Sequence, residues 1–192
     1  MRSVGLGSDF RLPASLCIDA RGAYFDATRP SDLEHLLSTA AFGLDLIARA
    51  QALRTRLVAA RLTKYNFNEG VTRPPASVGR RLILVPAQVP GDASLRLGLV
   101  KVEGNLGLLR AVRDECPDAH VVFKVHPDVA SGNRPGSDDL AAAAKLANAV
   151  TAEGDMASWL DVADEVHTAT SLAGFEALLR GKRVVTWGAP FY

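Results

Sequence analysis

Glu165-Val166-His167-Thr168-Ala169-Thr170-Ser171-Leu172-Ala173-Gly174-Phe175-Glu176-Ala177-Leu178-Leu179-Arg180, followed by Val184-Val185-Thr186-Trp187, is the stretch that decides the fold class. A short apolar run ends in a Thr/Ser turn, a segment of helical spacing follows, and a second apolar run begins. The reading is strand at 165–168, helix at 172–180 and strand at 184–187. Thr170 and Ser171 open the helix, the position where a hydroxyl can cap the first turn.

The same alternation extends upstream. Leu82–Val85 reads as a strand followed by a polar loop, and Leu106–Val112 as an amphipathic helix. Val121–Val125 reads as a second strand, and a Gly/Pro/Asp-rich loop from Asp128 to Asp139 leads to an Ala-rich helix at Leu140–Ala147. A short strand at Ala149–Thr151 and a helix around Ser158–Val162 complete the series. Strands alternating with helices predict an α/β fold, a Rossmann-like parallel sheet covered on both faces. Ligands of such sheets bind beyond the carboxyl ends of the strands.

Further upstream the pattern changes. Residues 1–77 carry little strand signal beyond Ser15–Asp19 and Tyr24–Phe25, and then turn helical. Ser31 and Glu34 have capping-box spacing behind Pro30. Leu46, Ile47, Ala50, Leu53, Leu57 and Val58 recur on one face of a second helix. Val71–Ser77, with Pro74-Pro75, reads as a linker. The expected division is a linking and helical segment, 1–77, and a Rossmann-like domain, 78–192.

Composition narrows the function classes. The 192 residues are 48% hydrophobic with mean hydropathy +0.09, enough for a core. No stretch approaches the ~18 uninterrupted apolar residues of a membrane span. Residues 1–20 lack the charged start and apolar run of a signal peptide, and Ala14-Ser15-Leu16-Cys17 is a poor lipoprotein signal. Twenty-two basic and 21 acidic residues give a net charge of +1, which argues against a dedicated nucleic-acid binder. Cys17 and Cys116 form no CxxC pair, so the default compartment is a reducing cytoplasm.

The residues that follow the strands are the candidate site. They are Gln88, Asp92, Ser94 and Arg96 after the first strand, His126 and Pro127 after the second, Thr170 and Ser171 after the fourth, and Gly188 after the fifth. A helix start suits a phosphate, and Gly174 lacks a side chain that would hold a ligand away. Thr170 or Ser171 can equally serve only as a cap. His126, locked by Pro127, can donate to a phosphate oxygen or be structural. Glu176 can take a ribose hydroxyl or stand as a solvated charge. Arg96 and Lys124 are candidate carboxylate or phosphate partners, the alternative for Lys124 being an edge-strand surface charge. His35, His120 and His167 have weaker claims. Val4-Gly5-Leu6-Gly7-Ser8 is no dinucleotide fingerprint, because position 10 is Phe10 and no strand precedes it.

Several long motifs resemble the KpsC-type capsule polysaccharide biosynthesis proteins. They are Arg2 to Asp9, Tyr24 to Glu34, Thr63-Lys64-Tyr65-Asn66, Leu84 to Val89, Asp92 to Gly98, Lys124 to Val129, Asp164 to Lys182 and Gly188 to Tyr192. The resemblance implies the donor-binding half of a GT-B glycosyltransferase, which has two Rossmann-like domains and a cleft between them. It implies transfer of the acidic sugar Kdo from CMP-Kdo to a lipid-linked Kdo acceptor, building the β-linked linker of a capsule. His126-Pro127 and Thr170-Ser171 resemble the CMP-binding motifs of bacterial sialyltransferases. The full proteins carry two modules, and the Asp164–Lys182 stretch is more similar to the second. The family's catalytic Asp falls in a Glu-Asp-Gly-Phe stretch that would lie upstream of Met1, and the family continues past Tyr192. The chain is therefore expected to be a fragment with its catalytic residue unassigned. Val125 stands where the family usually has Pro.

The resulting expectation is a CMP-Kdo-binding domain without a cofactor or metal, since CMP is an easier leaving group than a diphosphate. It is expected in the cytoplasm or peripheral to the inner membrane, with the lipid-linked acceptor and capsule synthesis and export machinery as partners. Two rivals remain: a catalytically silent binding module, and half of a sugar-nucleotide epimerase of the same architecture.

Overall fold

A computed structural model describes residues 18–66, 70–132 and 140–192. Met1, upstream of which the resemblance puts the catalytic Asp, lies outside the described residues. So do the Arg2–Asp9 motif with its Val4–Ser8 glycines, most of the expected Ser15–Asp19 strand, and the 133–139 part of the polar loop.

The core is a parallel sheet of β1 (Leu82–Pro86), β2 (His120–Lys124), β3 (Ala149–Thr151), β4 (Glu165–Thr168) and β5 (Arg183–Thr186). Its order is β3-β2-β1-β4-β5, and every pairing is parallel. The central strand reads Leu-Ile-Leu-Val-Pro and is buried along its whole length, as a strand covered on both faces must be.

Two apolar layers flank the sheet. Ile83, Val85, Val121 and Phe123 pack against Leu108, Leu109 and Val112 of α4 (Gly104–Glu115) and Ala143 of α6 (Leu140–Leu146). On the other face Leu82, Leu84, Val122 and Val166 pack against Trp159 and Leu160 of α7 (Met156–Val162) and Ala177 of α8 (Leu172–Leu179). Alternation along each strand sends successive side chains to opposite layers. From β1 the chain builds outward through β2 and β3, then returns to place β4 on the other side. The reversal puts a crevice between the carboxyl ends of β1 and β4.

The amino-terminal segment is helical, as expected, and α1 (Asp32–Thr39) begins with a complete capping box. Ser31 Oγ accepts from the Glu34 N–H at 3.1 Å, and Glu34 Oε2 accepts from the Ser31 N–H at 2.8 Å. The apolar stripe of α2 (Leu44–Ala59) is real, but among the described residues only its end, Leu57 and Val58, is partly covered. Leu46, Ile47 and Leu53 are exposed, and α2 contributes no buried residue. Tyr24–Phe25 is a turn, not a strand. Asp26 sits 4% exposed at its centre, accepting from the Thr28 N–H and hydroxyl and from Arg29 Nε. The adjacent Ala27 N–H donates to Leu97 O.

Residues 71–77 are a clamp instead of a free linker. Val71 joins the Trp159 layer, Ser77 is fully buried in a 3₁₀ turn (Pro75–Ser77), and Arg73 forks onto Asp164 at 2.6 and 2.9 Å. Two short helices had no periodic signal to reveal them: α3 (Ala93–Leu97) and α5 (Pro127–Ala130).

Candidate functional site

The crevice between β1 and β4 is held by Gln88. Its Nε2 donates to Thr170 Oγ1 at 3.0 Å, and its Oε1 accepts from the Thr170 N–H at 2.9 Å. The Gln88 backbone exchanges two further bonds with the Asn105 carboxamide on α4, at 3.0 and 2.9 Å. Gln88 is 7% exposed, Asn105 7% and Thr170 9%. The side chain expected to meet a ligand is thus spent on joining three loops. Gly98 completes the joint, because a Cβ there would lie 2.5 Å from Thr170 Cγ2 and 2.2 Å from Ser94 O.

A second cluster forms around the strap Thr63–Asn66. His126 caps α5, and its Nδ1 accepts from the Asp128 N–H at 3.1 Å. An accepting Nδ1 assigns the ring proton of the neutral imidazole to Nε2, which makes Nε2 a donor. Tyr65 stands edge-on to the imidazole, with centroids 5.6 Å apart, and its hydroxyl donates to Asp128 Oδ2 at 3.3 Å. The neighbouring Lys64 N–H donates to Glu176 Oε1 at 2.6 Å. Adjacent strap residues therefore tie His126 to Glu176. Glu176 is 7% exposed, and its burial raises the carboxyl pKa against the lowering effect of the Lys64 N–H.

The start of α8 lies between these features. Ser171 is its N-cap, with Oγ accepting from the Ala173 N–H at 3.3 Å, while the Ser171 carbonyl accepts from the Gly174 N–H. The Leu172 N–H is left without an acceptor among the described residues. Gly174 does admit a close neighbour, but that neighbour is Tyr192. A Cβ at 174 would lie 2.2 Å from the Tyr192 hydroxyl, which donates to Ser171 O at 2.6 Å. Phe191 and Phe175 pack with Tyr192, and Tyr24 meets Phe191 edge-on at 5.3 Å.

The remaining residues separate. Arg96 is exposed on α3 and lines a cavity of about 620 Å³ reaching from Gln88 and Ala169 to the first two turns of α4. Asp92 holds the N-cap position of α3, and Ser94 lies within its first turn. Lys124 is not on an edge strand. It is 5% exposed in β2, inside the sheet, on the α7/α8 side, and its Nζ donates to Ala152 O at 2.5 Å. Alternation puts it on the opposite face from the α4 cavity, so Lys124 and Arg96 do not converge.

Two of the other histidines are framework. His167, 1% exposed, pairs through Nε2 with Glu165 Oε1 at 2.9 Å, and burial pushes its pKa down. His120 is buried at the start of β2, and burial lowers its pKa too. His35 lies on α1. Among the described residues no cluster of three His, Cys, Asp or Glu could hold a metal, and no helix is long and apolar enough to cross a membrane. The sequence reading assigned no role to Tyr65 and Lys64, whose contacts are with residues about 60 and 110 positions away, nor to Arg110, which lines the cavity. The Thr63–Asn66 motif was the one signal for Tyr65 and Lys64; Arg110 had none.

Residues 43–192 match the family described as capsule polysaccharide biosynthesis protein, so the chain belongs to that family. It is 44% identical over 192 residues to the capsule polysaccharide modification protein LipA of Neisseria meningitidis serogroup B (strain ATCC BAA-335 / MC58), covering all of this chain and 27% of LipA. It is 41% identical over 197 residues to the lipopolysaccharide-processing protein LpsZ of Rhizobium meliloti, covering 44% of it. Among solved structures it resembles Thermosulfurimonas dismutans KpsC, β-Kdo 2,7 transferase, with 36% identity, a TM-score of 0.77, and 94% of this chain on 54% of that one. The β-Kdo 2,4 transferase of the same KpsC gives 34% identity and a TM-score of 0.83, with all of this chain on 60% of that one. The expected fold, one Rossmann-like half of a GT-B glycosyltransferase, is the fold found. The chain spans between 27% and 60% of these relatives' lengths.

Proposed function

We propose, from the premise that this chain is a capsule polysaccharide biosynthesis protein, that it binds CMP-Kdo as the donor half of a Kdo transferase. On this reading it supports transfer of β-Kdo to a lipid-linked Kdo acceptor during synthesis of the capsule linker. One observation carries the reading: at the carboxyl edge of the sheet, the strap Lys64-Tyr65 ties His126 to Glu176, and Glu176 lies on the helix that Ser171 starts. His126 Nε2 and the Leu172 N–H are the donors for the single phosphate of CMP. A helix start adds a partial positive charge to such a site. Glu176, held against the Lys64 N–H, is the acceptor available to a ribose hydroxyl. Gln88 and Thr170 set the spacing of the loops and do not themselves contact the nucleotide. No metal is assigned to this site: the partial positive charge at the start of α8 is what favours the phosphate, and the two N–H donors orient it.

The test is calorimetry with CMP on the intact chain, with and without EDTA, for the wild type and His126→Ala. A hydrogen bond to a charged group contributes ~1.5–3 kcal/mol, so His126→Ala should lose about tenfold or more in affinity. Its melting temperature should stay near that of the wild type. EDTA should change nothing. Wild-type affinity retained by the variant, or binding abolished by EDTA, would overturn this assignment.

A further inference from the structure

The cavity between α3 and α4 holds two cations that the reading above leaves unused. Arg96, on α3, and Arg110, on the exposed side of α4, both line it, and neither makes an ion pair or hydrogen bond among the described residues. Many arginines elsewhere among the described residues are engaged: Arg61 on Asp161, Arg73 on Asp164, Arg81 and Arg183 on Glu165, Arg113 on carbonyls and Asn148. One carboxylate, Glu103, also lines the cavity, so its fixed charges sum to +1 from two arginines and one glutamate. Leu95, Val102 and Leu106 supply apolar wall. At about 620 Å³ it has the size of a small-molecule site.

The cavity also adjoins the nucleotide region. Gln88 lines it and is bonded to Thr170, the residue before the α8 cap. A planar guanidinium suits a carboxylate or a phosphate. CMP carries a single phosphate, already allotted to His126 and the start of α8. The second anion of a CMP-activated sugar acid is the carboxylate of the sugar.

We propose that this cavity is the subsite for the carboxylate of an acidic sugar, held jointly by Arg96 and Arg110. The inference rests on the CMP-Kdo reading and deepens it. Arg110 thereby gains a role in recognition, and Lys124 is removed from that role. The sugar can be that of the donor or the terminal Kdo of the acceptor, since both carry the same carboxylate.

Four probes separate the possibilities on the full chain: CMP, free Kdo, CMP-Kdo generated in situ, and the octyl β-glycoside of Kdo as acceptor mimic. Each is titrated against wild type, Arg96→Gln and Arg110→Gln. Each variant should bind free Kdo, and whichever of CMP-Kdo and the octyl glycoside occupies the subsite, about tenfold or more weakly, the loss of one charge-assisted bond, with CMP affinity within about twofold. The methyl ester of Kdo should bind wild type as weakly as Kdo binds the variants. Because both side chains are exposed and unpaired, melting curves of the variants should overlay wild type. If the variants lose CMP-Kdo and keep the octyl glycoside, the subsite belongs to the donor; if they lose the octyl glycoside and keep CMP-Kdo, it belongs to the acceptor; either supports the proposal. Wild type that binds CMP but no Kdo-bearing probe more tightly than its ester overturns the subsite and leaves the nucleotide reading standing. Variants that bind Kdo like wild type do the same. Wild type that binds Kdo through these arginines but not CMP overturns the nucleotide reading alone, and wild type that binds neither overturns both.

Discussion

Gln88→Ala distinguishes a framework role from a ligand contact. The change removes two side-chain bonds of good length, at 3.0 and 2.9 Å, from a residue 7% exposed. Each is worth ~1 kcal/mol net, and stripping the acceptor from the buried Thr170 N–H adds a desolvation penalty of ~1–3 kcal/mol. A loss of about 2–4 kcal/mol follows, allowing for partial access of water to the vacated space. Urea unfolding followed by tryptophan fluorescence suits the measurement. Trp187 donates its backbone N–H to Thr168 O, and Trp159 lies in the opposite layer, so both faces are reported. The midpoint should fall with an unchanged slope. Gln88→Glu keeps an acceptor for Thr170 but buries a carboxylate, so its stability should recover toward wild type as pH falls. A variant within ~0.5 kcal/mol of wild-type stability that loses tenfold in CMP affinity would refute the bracket and make Gln88 a ligand residue.

Other substitutions test other joints. Gly174→Ala drives a methyl to 2.2 Å from the Tyr192 hydroxyl, so the ring must swing away, at a cost of ~1–3 kcal/mol; Tyr192→Phe should cost less, and equal melting temperatures would disprove the close packing. Glu176→Gln keeps the Lys64 N–H satisfied and removes a buried charge. Because burial raises the Glu176 pKa, its stabilising contribution is full below the ordinary value of 4.5 and is lost as pH rises through the raised native value. The variant should therefore melt higher than wild type near neutral pH, with the gap closing on acidification, while weakening CMP if the ribose role is right. Asp164→Asn should show the opposite sign. Arg73 and the Leu82 N–H hold the Asp164 pKa below its ordinary 3.8, so the wild-type advantage exists above that value and disappears as pH falls through the depressed one. A salt titration should shrink it, because both partners are partly exposed.

The sheet was legible because its elements obey strong local rules. β1 is a continuous apolar run, β3 and β4 fall where the sequence reading put them, and Ser171 marks the start of α8 by residue type alone. The capping box of α1 is a four-residue signal and needs no tertiary help. What failed was short or non-local. α3 and α5 span five and four residues, too few for a helical period to show. Tyr24–Phe25 has strand-forming residue types, but Asp26 gathers three donors within three residues of itself and folds the segment into a turn. The stripe on α2 has the right spacing for burial, yet periodicity says only that a face exists and never what covers it.

The candidate site shows the same divide at finer scale. Strand order alone places polar residues at the carboxyl edge, but it does not say whether a given side chain faces a ligand or another loop. Gln88 and Lys124 looked alike in sequence to Arg96, each being a polar residue within or just after an apolar run. Their partners decide the matter: Thr170 lies 82 positions from Gln88, and Ala152 lies 28 from Lys124. A buried polar group must be bonded inside the protein, because an unmet bond there costs more than a met one contributes. Gln88 and Lys124 are buried and accordingly bonded to backbone and side chains; Arg96 and Arg110 are exposed and owe nothing to the fold. A charge that the framework does not need, placed on the wall of a cavity at the carboxyl edge of the sheet, is the one available to recognise something else. For that reason the recognition role moves from Lys124 to Arg110, a residue with no motif of its own, whose position appears only when α4 is folded against the end of β1.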